Sequence, residues 1–261
     1  MEIVAIFTLF GLLVGSFLNV AIWRVPLKKS VMSPKRSFCP KCETQLLWWE
    51  NIPVISWLML RAKCRTCKEP ISGRYPFVEL LSAIAAALAA IKFGATPTAV
   101  LIYFFTATMI VISFIDLDHM IIPNVISFPG MAFGLFLGCL TQYVDWFSWP
   151  VTSGALDSLI GFLAGGGFFW IIGEIYYRMS GVVGLGGGDV KLTAMIGAIL
   201  GWESLISTIF AGCFLGAIVG IAMMMINKSG RKTEIPFGPW LAAGSLIYIF
   251  CDFQFMDYLK I

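Results

Sequence analysis

Apolar runs, each close to the length needed to cross a bilayer, recur along nearly the whole chain and are separated by short polar breaks. The pattern predicts an all-α polytopic membrane protein with about eight transmembrane helices, over 3–23, 77–92, 98–115, 124–142, 157–177, 190–202, 204–226 and 237–252. The sixth run is short for a full crossing, which implies tilt, a break or merger with its neighbour. The first run lacks a basic segment before it, and Arg24, Lys28 and Lys29 follow it instead. That order predicts a retained anchor with the N-terminus outside, not a cleaved signal peptide.

Composition agrees with this reading. Of 261 residues 59% are hydrophobic and only 13% charged, whereas a soluble domain carries about 25% charged residues. A large soluble core is thereby excluded, and the lipid bilayer is an expected partner; nucleic acid is not. Charge then orients the spans. The segment 24–75 holds 11 of the 18 basic residues (Arg24, Lys28, Lys29, Lys35, Arg36, Lys41, Arg61, Lys63, Arg65, Lys68 and Arg74). Positive charge marks it as cytoplasmic. Eight spans put 116–123, 178–190 and 227–236 on the same side, with Arg178, Lys228, Arg231 and Lys232, and with Lys191 at the edge. The opposite side receives Lys92 and Lys260 together with Asp145, Asp157, Glu203, Asp252 and Asp257. Three regions result: a first transmembrane helix (1–23), a cytoplasmic loop domain (24–75) and a multi-span region (76–261).

The loop domain carries "CPKC" and "CRTC". Two C-x-x-C pairs, Cys39/Cys42 and Cys64/Cys67, have the spacing of a zinc ribbon, each pair forming a turn that points two thiolates at one ion. Two disulfides are the rival, but they need an oxidising compartment. Four thiolates leave no open ligand position, so the Zn²⁺ is expected to be structural and to hold a small loop domain together. Cys139, Cys213 and Cys251 lie in apolar runs and read as small buried side chains.

Two boundaries on the cytoplasmic side bear acids: Asp116 and Asp118 in "SFIDLDHMIIPN", and Asp189 in "GLGGGDVKL". Ionisable groups at such depth are costly unless they pair or do chemistry. The bland alternative is an interfacial acid, solvated or paired with a neighbour such as Lys191. Acids from separate spans at one level suit aspartic-protease chemistry, in which adjacent carboxyl groups share a proton. Gly186, Gly187 and Gly188 before Asp189 allow close backbone approach and unusual dihedrals, so that a substrate or opposing helix reaches the acid. The same stretch matches a nucleotide-fold glycine motif, which requires a preceding buried strand that is not expected here. His119, the single histidine, receives no role. Glu79, just beyond Pro76 in "RYPFVELL", is a candidate for receiving a substrate amine or basic leader residue, or is an early-helix acid favoured by the dipole. Glu174 lies inside the fifth run, and "IPFGP" (235–239) is either a substrate-shaping loop or helix punctuation.

Together "GSFLNVAIWRVP", the paired C-x-x-C, "ISGRYPFVELL", "IDLDHMIIPN", "GLGGGDVKL" and "IPFGPWLAAG" resemble the type IV prepilin peptidases, in the family's order over residues 15–244. The resemblance implies a bifunctional enzyme of the bacterial inner membrane. It would remove the short basic leader of type IV prepilins or pseudopilins at the cytoplasmic face, just after a glycine. It would then methylate the new N-terminal amine with S-adenosylmethionine. It puts the catalytic aspartates at Asp116 and Asp189, with Asp118 as the second acid of the first motif. One departure is Ala62, where the family commonly has glycine; the cofactor's pocket is unassigned, and the segment with Trp48, Trp49 and Glu50 is the place to look. Rival readings are a peptidase without methylation and a non-enzymatic scaffold or transporter with a zinc-ribbon loop.

Overall fold

The computed structural model describes residues 1–33, 37–181, 186–227 and 236–254. Lys35, Arg36, Lys228, Arg231, Lys232, Lys260 and Asp257 of the charge argument lie outside these residues, as do Gly184, Leu185 and Ile235 of two motifs. The described residues form helices α1 (Glu2–Arg24), α2 (Ile55–Met59), α3 (Arg74–Phe93), α4 (Pro97–His119), α5 (Asn124–Thr141), α6 (Ala155–Ser180), α7 (Gly187–Leu200), α8 (Glu203–Asn227) and α9 (Gly238–Phe250), with a 3₁₀ turn at Trp48–Asn51. Apart from α2 they coincide with the eight apolar runs. Six of them, α1, α3, α4, α5, α6 and α8, are long and apolar enough to cross a membrane, while α9 is apolar but shorter. The short sixth run is a helix of 14 residues, α7.

The chain forms two compact units, Met1–Val111 and Ile112–Ile261. In the first, α1 packs on α3. Gly11 and Gly15, four residues apart on one face of α1, make this crossing tight: a Cβ on Gly11 would lie 2.7 Å from Ala86 Cβ, and one on Gly15 2.7 Å from Glu79 Cα. Small residues at helix crossings let backbones approach where lipid gives no hydrophobic drive. Polar side chains reinforce the contact. Ser82 Oγ donates to the Gly11 carbonyl at 2.8 Å, and Asn19 Nδ2 donates to the Tyr75 carbonyl at 3.0 Å.

The second unit uses the same device around α7, which packs on α5, α6, α8 and α9. Side chains on Gly161 or Gly197 would overlap the other helix's backbone, so α6 and α7 meet backbone to backbone. Thr193 Oγ1 adds a bond of 3.0 Å to the Gly165 carbonyl, and Ser158 Oγ one of 2.7 Å to the Ala198 carbonyl. α7 is consequently the most enclosed helix of the unit, with Leu192–Leu200 buried without interruption. Its first turn carries Asp189.

Candidate active site and metal centre

Asp116 lies in the last turn of α4 and is buried, 5% exposed. Asp118 is exposed. Two residues along a helix turn by about 200°, so the pair in "DLD" cannot share a face, and burial singles out the first. Beyond them the chain leaves the helix at Met120 (φ 52°) and buries Ile122.

Gly238, the first residue of α9, donates its N–H to Asp116 Oδ2 at 2.9 Å. Helix N-termini present amides without an intrahelical acceptor, and here one is used on a buried carboxylate. A side chain on Gly238 would force this carboxylate to shift: a Cβ there would stand 2.7 Å from the same oxygen. Ile122 fits against both helix starts, 3.1 Å from a Cβ built on Gly188 and 3.3 Å from one built on Gly238. Asp189 is the third residue of α7 and half-buried, and its charge and that of Asp116 act on each other. The end of α4, the start of α7 and the start of α9 thus converge on two carboxyl groups.

The glycines before Asp189 need correcting in one respect. None adopts an unusual dihedral: Gly186 has φ −70° and ψ 133°, and Gly187 and Gly188 already belong to α7. Gly188 serves close approach, to Ile122, whereas a Cβ on Gly187 would meet nothing within 4 Å. The run opens a helix instead of bending the chain. Lys191 does not turn to Asp189; its Nζ donates to Asn124 Oδ1 at 2.6 Å. His119 is exposed. Glu174 forms an exposed i,i+4 pair with Arg178 at 2.7 Å. Gly238 and Ile122 were not singled out in the sequence; the "IPFGP" motif was the available signal for the first.

Glu79, in the first unit, is buried on α3, and its Oε2 accepts the N–H of Val54 at 2.7 Å. It therefore ties the loop to the helix, one turn deeper than an early-helix acid would sit.

The four cysteines come together. Cys39 Sγ and Cys67 Sγ are 3.8 Å apart, Cys42 Sγ and Cys64 Sγ 3.9 Å, and all four sulfurs lie within 4.8 Å of one another. Bonds of about 2.3 Å to a tetrahedral Zn²⁺ place sulfurs about 3.8 Å apart, so the donor set fits the ion; all four thiols are free of disulfides. The two turns repeat one design. Cys39 N–H bonds to the Thr44 carbonyl (3.0 Å) and Cys64 N–H to that of Glu69 (2.8 Å), and the residues after the second cysteines, Glu43 and Lys68, both take positive φ. Lys41 and Glu69 join the turns as an ion pair. The hydroxyl of Thr44 lies 3.3 Å from Cys42 Sγ, and its hydrogen bonding lowers that thiol to about 6, favouring the thiolate a metal needs. Cys139, Cys213 and Cys251, expected buried, are exposed in the fold, as lipid-facing side chains would be.

Beside the metal centre, within the first unit, is a cavity of about 390 Å³. Glu50 is on its wall but Trp48 and Trp49 are not, and Trp48 is 80% exposed.

Comparison with known proteins assigns residues 9–93 to a bacterial peptidase A24 N-terminal domain and residues 103–221 to the type IV leader peptidase family. A prepilin leader peptidase/N-methyltransferase of Stutzerimonas stutzeri is 35% identical over 96% of this chain and 91% of its own length. Proteins of the same description from Pseudomonas aeruginosa (34%, 97% and 92%) and Myxococcus xanthus (40%, 86% and 64%) are also similar. No solved structure matches.

Proposed function

This chain belongs to the type IV leader peptidase family, and from that membership we propose that it is an intramembrane aspartic endopeptidase and N-methyltransferase of type IV prepilins or pseudopilins, with Asp116 and Asp189 as the catalytic pair. The observation that carries the assignment is that a buried Asp116 at the end of α4, bonded to Gly238 N–H, lies beside Ile122, against which the start of α7 that bears Asp189 also packs.

Two carboxyl groups brought close together favour sharing one proton. The ionised carboxylate takes a proton from water as the water oxygen bonds to the scissile carbonyl carbon. The protonated carboxyl gives its proton to the carbonyl oxygen. As the resulting diol collapses, the C–N bond breaks, one hydroxyl returns its proton to the carboxylate that had protonated the carbonyl oxygen, and the proton first taken from water passes to the departing amine. This scheme calls on no metal; Cys39, Cys42, Cys64 and Cys67 would hold a Zn²⁺ that would keep the loop folded. S-adenosylmethionine, when bound, supplies the methyl group for the freed N-terminal amine. The distribution of basic residues supports an inner-membrane topology with the N-terminus outside and the loop and both aspartates on the cytoplasmic side.

A cleavage assay on a prepilin-like substrate tests the pair. Asp116→Asn and Asp189→Asn, at matched expression, are expected to abolish cleavage, and Asp118→Asn to retain it. Full cleavage by either of the first two variants removes the assignment.

A further inference from the structure

Resting on the methyltransferase half of that reading, we propose that the cavity walled by the end of α1, the two cysteine turns and the start of α3 is the S-adenosylmethionine site, with Glu79 as the carboxylate that faces the donor's positive charge. Its volume of about 390 Å³ falls in the range of small-molecule sites, about 300–1,000 Å³. Its lining combines broad rings with a few fixed polar groups, which is what a purine joined to a charged amino acid requires. Trp23, Trp57 and Tyr75 supply aromatic surface for stacking the base or meeting a cation.

The polar groups are buried and held. Asn19 Nδ2 is committed to the carbonyls of Gly15 and Tyr75, and its amide oxygen takes part in neither bond. Glu50 accepts Leu47 N–H at 2.7 Å and is paired with Arg65 Nε at 3.0 Å. Glu79 differs. It is as buried as Glu50, 8% exposed in each case, yet its partners are neutral: the N–H of Val54 and the hydroxyl of Ser16. A buried carboxylate with only neutral partners is costly, and a cation beside it offsets that cost. The methyl donor carries a sulfonium and an ammonium against one carboxylate, so it brings the missing positive charge. Cys39 and Cys64 also line the cavity, so the metal centre forms part of its wall.

The test is equilibrium binding of radiolabelled S-adenosylmethionine and S-adenosylhomocysteine to the full-length zinc-loaded protein in detergent, with photocrosslinking of the bound donor. Val20 lines the cavity, and Val20→Trp fills it without removing a hydrogen-bonding side chain; Ile6→Trp, at an exposed site on the same helix, is the control. Val20→Trp is expected to weaken both ligands at least ~10-fold, a difference of about 1.4 kcal/mol, with Ile6→Trp unchanged. Glu79→Gln should weaken S-adenosylmethionine more than the homocysteine analogue, whose sulfur is uncharged. Zinc content and thermal unfolding establish that each variant is folded. Should Val20→Trp fail to fold, crosslinks on the wild-type protein within 16–24 or 50–79 support the site. Crosslinks confined to 112–261, or wild-type affinities in folded Val20→Trp and Glu79→Gln, overturn the site while leaving methylation standing. If the wild-type protein binds neither ligand, even with cleaved substrate present, the methyltransferase reading falls and takes the site with it.

Discussion

At the scale of single residues, one oxygen and one amide hydrogen set the geometry of the candidate active site. Asp116 Oδ2 is fixed by one amide, that of Gly238, and the approach leaves no room for a side chain. Gly238→Ala would press a methyl group to within 2.7 Å of that oxygen, and the carboxylate would have to move. Displacement of a reacting group by about 1 Å costs on the order of 100-fold in rate. Cleavage by Gly238→Ala is therefore expected to fall about 100-fold, with helix content and zinc content retained; wild-type turnover would show that the carboxylate tolerates displacement. The two acids themselves were legible in the sequence, because a charged residue beside an apolar run is conspicuous. Gly238 was not. Its importance comes from an oxygen 122 positions away, and nothing local in "IPFGP" separates a carboxylate-binding amide from a helix stop.

Elements show the same division between what periodic pattern carries and what contact decides. Apolar runs locate α1 and α3–α9 because burial in lipid demands continuous apolar sequence. The C-x-x-C spacing locates the metal turns because two thiolates must reach one ion. Backbone conformation is less legible. The glycines before Asp189 suggested strained dihedrals, yet most of the non-glycine positive φ values among the described residues fall in the loop, where Arg61 and Ala62 take φ 51° and 57° in succession. Ala62 is held there by two hydrogen bonds, its N–H to the Trp57 carbonyl at 2.9 Å and its carbonyl to Ile71 N–H at 2.7 Å. A non-glycine residue in this region costs roughly 1–2 kcal/mol, part of which glycine returns through greater freedom of the unfolded chain. A glycine at this position would thus have a conformational reason. Ala62→Gly is expected to stabilise the loop by up to about 1 kcal/mol, measured as slower zinc loss to a competing chelator. Faster loss would mean that alanine fits this turn without strain.

For the whole molecule, orientation in the bilayer is a property that no single helix determines. Basic residues concentrate in 24–75, and the parity of the spans carries that bias to the later loops. On the proposed topology, the ends of α4 and α6 and the starts of α5, α7 and α9 would share the cytoplasmic side, which would also be the side of Asp116, Asp189 and Gly238. The same topology would put the turn after α5 on the other side, and Tyr143 in it is 82% exposed. Tyr143→Cys is therefore expected to react with a membrane-impermeant maleimide in intact spheroplasts. Exposed Cys67 should react only in inside-out vesicles, and then only after a chelator frees the thiolate. The reverse pattern would place the basic loop outside. It would carry both aspartates out with it, away from the proposed cytoplasmic site of cleavage. An inverted result would thus overturn the topology and, with it, the proposed site of cleavage, even if the two carboxyl groups proved essential.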